Sequence, residues 1–180
     1  MQGGGEVTAR RTGAVLATLG GVYLVMLTVA RLALIPRIGP DGTGEVWLWV
    51  WFLVCVVAAA LLAGWLGGVG VGRGLVSGAG FLVSFVLIGP FLASAFAYYL
   101  PDRPVVFGPA LGVQLVILLP RRGPWAPVWR VALPVAGDLV ASLFPPPGGG
   151  ARVVGLTAIA AALVAVWLLE RRHATAAEEG

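Results

Sequence analysis

The sequence predicts an all-α fold, a polytopic transmembrane helical bundle of about six spans, on three observations. The first is composition: 59% of the 180 residues are apolar and 11% charged, and mean hydropathy is +0.95. An average globular domain is nearer half apolar and a quarter charged. A core of this size does not absorb the surplus, because much of any small domain's surface still faces its solvent. The second is patterning: residues 12–30, 46–72, 74–101, 104–120 and 153–169 carry no charge at all. A hydrocarbon layer about 30 Å thick needs roughly 17–25 helical residues, so each run spans or nearly spans it. The third is punctuation. The segments between the runs, among them "RIGPDGTGE", "GGVGVGRG", "RRGPWAP" and "PPPGGG", are short and rich in Gly or Pro, which end helices.

Six helices follow, at 13–35, 46–67, 76–99, 105–119, 128–144 and 152–169, forming one domain over 13–169 between a polar tail at 1–12 and another at 170–180. The first apolar run is longer than the 7–15 residues of a secretory signal core, so it reads as a retained span. Arg10-Arg11 lacks the context of a twin-arginine export signal. Trp47, Trp49 and Trp51 open the second helix and read as interface anchors, as do Tyr98 and Tyr99 at the end of the third. Gly89-Pro90 is expected to break or bend that third helix, because Pro has no backbone N–H and crowds the preceding turn. The fourth segment is short, about 22 Å of helix, and Gly108, Pro109 and Gly112 are expected to interrupt it. The fifth carries Arg130, Pro134 and Asp138, with Pro134 freeing the carbonyl of Arg130. Small residues four apart, such as Ala60, Gly64 and Gly68, or Gly80 and Ser84, suit close helix contacts. With 27 glycines in the chain, many such spacings arise by chance.

Twelve Arg and no Lys give a net charge of +4. These arginines are scattered between runs without a basic stripe, so the charge speaks for topology and against nucleic acid. Arg10, Arg11, Arg73, Arg121, Arg122, Arg171 and Arg172 fall on one side of the threading, and Arg37, Arg103 and Arg152 on the other. The positive-inside rule then sets both termini in the cytoplasm. The expected location is a bacterial or archaeal cytoplasmic membrane. The expected partners are the lipid bilayer and a second copy or a membrane partner protein.

Chemistry is sparse. Cys55 and His173 are each the sole residue of their type, which leaves no thiolate cluster, no ordinary zinc site and no Cys/His dyad within one chain. "GGVGVGRG" lacks the Gly-Lys-Ser/Thr of a phosphate loop. No cofactor, metal or catalytic constellation is expected, and the balance is against an enzyme. Asp138 stands out as an acid inside an apolar run, where a charge at membrane depth costs about 2.5–3.5 kcal/mol. It is protonated, paired, or engaged with a cation or polar solute, or else the fifth segment is not a span. An ion pair with Arg31 is the favoured role. Arg130 and Gln114 are further polar candidates, Gln114 being the sole Asn or Gln within the six segments. The functional expectation is a small transporter or permease-like subunit handling a small solute or ion, with a membrane assembly, scaffold or regulatory protein as the alternative.

Overall fold

Each uncharged run contributes a helix, and a further one forms over 126–143, in the computed structural model, which describes residues 3–39, 44–96, 107–120, 124–143 and 149–179. The helices are α1 (Gly3–Val29), α2 (Glu45–Leu66), α3 (Val71–Phe96), α4 (Phe107–Leu118), α5 (Ala126–Leu143) and α6 (Gly149–Glu179). A π-helical turn, Ala30–Leu34, and a 3-10 turn, Ile35–Arg37, carry on from α1. Pro36 lacks the N–H that a further turn would need, and the helical path ends one residue later. Both terminal helices run well into segments expected to be tails, α1 starting at Gly3 and α6 ending at Glu179.

Consecutive helices pack on one another, and α1 closes against α6 to complete a ring. Leu19 of α1, Val56 of α2, Phe81 of α3, and Leu111, Leu115 and Leu118 of α4 are fully buried at its centre. An aromatic cluster ties three helices there. Tyr23 stacks on Phe81 at 5.3 Å and meets Phe107 edge-on at 5.0 Å. The α2–α3 hairpin closes tightly because its facing residues are small: a Cβ on Gly64 would lie 3.0 Å from Cα of Gly74, and one on Gly74 would strike the carbonyl oxygen of Ala60. The expected Ala60/Gly64 spacing is thus a real contact face, while Gly68 belongs to the turn, in the left-handed region at φ +66°.

Six α-helices occur among the described residues, but six spans do not. Among the described residues, one helix, Glu45–Leu66, is long and apolar enough to cross a membrane, and the shorter apolar stretches are Val71–Leu87 and Phe107–Leu118. Local reasons are plain. At about 1.5 Å per residue α4 measures roughly 18 Å, and it lies inside the protein with eight of its residues buried. Helix α5 carries Arg130 and Asp138, and α6 carries Glu170, all three buried. The absence of charge in a run reports what it is made of, and a core helix satisfies that criterion as readily as a span. A multi-pass architecture therefore falls. With it fall the transporter or membrane-scaffold function, the bilayer as partner, and the cytoplasmic-membrane location with both termini inside, each of which was expected of a chain that crosses six times.

The expected breaks also differ. Helix α4 runs without interruption through Gly108, Pro109 and Gly112, because Pro109 falls in its first turn, where no N–H is required. Pro134 sits inside an unbroken α5. Helix α3 continues through Pro90 to Phe96.

Candidate functional site

Three of the polar residues singled out in the sequence, Asp138, Arg130 and Gln114, meet at α4. Oδ2 of Asp138 accepts hydrogen bonds from the backbone N–H groups of Phe107 (3.1 Å) and Gly108 (2.8 Å). These are N–H groups of the first turn of α4, which no intrahelical carbonyl can reach. Asp138 caps α4 from a neighbouring helix, and its negative charge suits the positive end of the helix dipole. Burial raises the Asp138 carboxyl above its usual value, and the two N–H bonds pull it part of the way back.

Arg130 holds the other end. Its terminal nitrogens donate to the carbonyls of Leu119 (3.1 Å) and Pro120 (2.7 Å), just past the last turn of α4. Its Nε donates to Oε1 of Glu170 on α6 at 2.8 Å, in a fully buried ion pair. The Trp129 indole N–H donates to the same oxygen at 3.2 Å, and the Trp129 ring stacks on His173 with centroids 4.7 Å apart. Arg130 and Asp138 stand eight residues apart on α5, about 12 Å along its axis, so two side chains of one helix grip both ends of its antiparallel neighbour.

Glycine makes that grip reachable. A Cβ on Gly108 would lie 2.5 Å from the carbonyl oxygen of Pro134, and one on Gly112 would lie 2.7 Å from Cα of Val131. The two backbones therefore touch where Gly108 and Gly112 recur four apart. Between the ends, the Tyr23 hydroxyl donates to Oε1 of Gln114 at 2.7 Å. Nε2 of Gln114 is buried without a partner among the described residues. Burial pushes the Tyr23 phenol upward, so it remains a neutral donor.

Asp138, Arg130 and Gln114 are thus brought together around one short helix. The Arg31 side chain lies outside the described residues, as do Tyr98 and Tyr99. Two participants were not foreseen. Glu170 opens the segment expected to be a tail, although an acid ending the apolar run "VWLLE" is a signal that it lies inside; Tyr23 gives no signal beyond its aromatic type. The arrangement is structural in character, each group being engaged with helix ends or with another helix. No group of three His, Cys, Asp or Glu fit for a metal occurs among the described residues. Cys55 is buried, and burial raises its thiol.

Space for another molecule lies beside this framework. One cleft of about 480 Å³ lies between α1, α4 and α6, where Gly20, Gly21, Tyr23, Phe107 and Leu111 face Leu163. Another, also about 480 Å³, lies between the end of α1 and the start of α2, against Val29, Leu34, Val50, Val54, Trp47 and Trp51, with Arg37 on its wall. Both volumes fall within the range of small-molecule clefts.

The chain matches no protein-family model, no curated protein and no solved structure.

Proposed function

We propose that this chain is a non-catalytic binding protein for elongated apolar molecules, held in clefts alongside α1. The observation that carries the reading is the pair of clefts of about 480 Å³, one beside the middle of α1 and one at its end, with walls mainly of aliphatic and aromatic side chains. A rigid framework of helices locked end to end around apolar recesses is the usual build of such sites. The engagement of Asp138, Arg130 and Glu170 in internal bonds supports binding over catalysis, since each group is already used.

Gly21 offers the test. A Cβ there meets nothing within 4 Å, so a larger side chain enters the α1–α4–α6 cleft without disturbing the packing. Calorimetric titration of the full chain with 1-dodecanol is expected to saturate. Gly21→Leu removes one class of sites, and Val50→Trp, placed in the other cleft, removes a second. Non-saturating uptake, or two variants indistinguishable from the parent protein, overturns the proposal.

A further inference from the structure

We infer that the cleft between the end of α1 and α2 selects an amphiphile with an anionic head on a single alkyl chain, a long-chain carboxylate. The inference rests on the binding function proposed above and names the ligand class for one of its two sites. Arg37 is the charged residue on this wall, and it is exposed beside the opening. It has no hydrogen-bond or ion-pair partner among the described residues, whereas Arg130 is fully committed. Glu45, in the first turn of α2, forms no ion pair with it. The other cleft shows no charged residue on its wall. The charge at one mouth is therefore complementary to an acidic head that the second cleft has no means to recognise.

The remaining wall suits the tail. Trp51 spends its indole N–H on the carbonyl of Met26, at 3.1 Å, so it offers the cleft no free donor. Trp47 stands at the rim, 68% exposed. Below it Val50 and Val54 follow at helical spacing, carrying the apolar wall from Gly44 to Val54 over about 15 Å. Gly44 lines the entrance in the left-handed region, φ +96°, where a Cβ would lie 3.0 Å from the carbonyl oxygen of Arg37. A side chain at that position would press on the residue meant to receive the head group. Each methylene added to a buried tail strengthens binding about fourfold, so the tail supplies affinity and Arg37 supplies selection.

The test compares four twelve-carbon probes below their micelle concentrations: dodecanoate, dodecyl phosphate, 1-dodecanol and dodecyltrimethylammonium. Binding is followed by tryptophan fluorescence of the Gly21→Leu protein, which leaves this cleft alone. Dodecanoate is expected to bind at least tenfold tighter than 1-dodecanol, and dodecyltrimethylammonium weakest. Arg37→Gln erases the difference while 1-dodecanol still binds, and Arg37→Lys keeps most of it. Equal affinity for carboxylate and alcohol, or a preference that survives Arg37→Gln, overturns the selection while leaving the broader binding function in place. Failure of every probe to bind either protein overturns that function itself. A preference for the phosphate over the carboxylate, or binding only to vesicles of anionic lipid, assigns the cleft to a lipid head group and overturns the long-chain carboxylate.

Discussion

Helices α2 and α4 are both uncharged apart from Glu45 at the start of α2, and both would be taken for spans, yet the fold uses them in opposite ways. Helix α4 is enclosed, with Ala110, Leu115 and Leu118 fully buried and both ends bonded to α5. Helix α2 is buried only along Cys55, Val56, Ala59, Ala60, Ala63 and Gly64, and Trp49, Leu53, Val57 and Trp65 look outward. The difference lies in the neighbours. Gly108 and Gly112 let α5 come close enough for Asp138 and Arg130 to satisfy the ends of α4. Glycines likewise draw the inner side of α2 against α3, but nothing among the described residues covers its outer side. Large exposed apolar faces are uncommon on proteins that stand alone in water.

This contrast is broken most forcefully at Arg130. Arg130→Met leaves the Glu170 carboxylate buried without its cation and should lower stability by about 3–5 kcal/mol, whereas adding Glu170→Met should recover most of the loss. Chemical denaturation of the single and double variants measures both. Next is Gly112→Leu, whose side chain would meet the backbone of Val131. Overpacking of that kind costs about 1–3 kcal/mol, read as a lower denaturation midpoint.

Asp138→Ala removes the cap on α4 and should cost about 1 kcal/mol. Asp138→Asn keeps an acceptor for the Phe107 and Gly108 N–H groups and should cost less, and it sharpens the comparison through pH. Because burial raises the folded-state carboxyl, the folded protein holds that proton more tightly than the unfolded chain. The associated stability is complete below the ordinary carboxyl value of 3.8 and is lost as pH rises through the higher folded value. As pH rises from 3.8 the melting temperature of the parent protein should therefore fall relative to that of Asp138→Asn, which lacks this component. The smallest effect belongs to the open helix. Trp65→Ser on the outer side of α2 should change stability by no more than about 0.5 kcal/mol, while reducing the binding of an apolar surface dye.

Much of the framework was legible in residue order. Gly and Pro set the six helices within a few residues, because turn chemistry is local, although it missed the extensions of α1 and α6. Small residues near Asp138, namely Pro134, Gly137, Ala141 and Ser142, suit an inward side of α5; Pro134 and Gly137 are buried with Asp138, and the side chains of Ala141 and Ser142 lie outside the described residues. What each helix packs against was not, since that depends on residues far apart in the chain. Asp138 looked like a charge at membrane depth because its acceptors' partners, two backbone N–H groups thirty residues away, carry no signature in sequence. Arg130 likewise finds Glu170 forty residues on. Six spans followed from treating the missing charges as a property of the surroundings, when for α4 they are a property of the core.

Amide hydrogen exchange at Phe107 and Gly108 tests the clamp on α4 most directly. The account predicts that these first-turn amides, which an ordinary helix end leaves open, exchange slowly in the parent protein and lose that protection in Asp138→Ala. Exchange at the rate of an unstructured peptide in the parent protein, unchanged by the substitution, would contradict it.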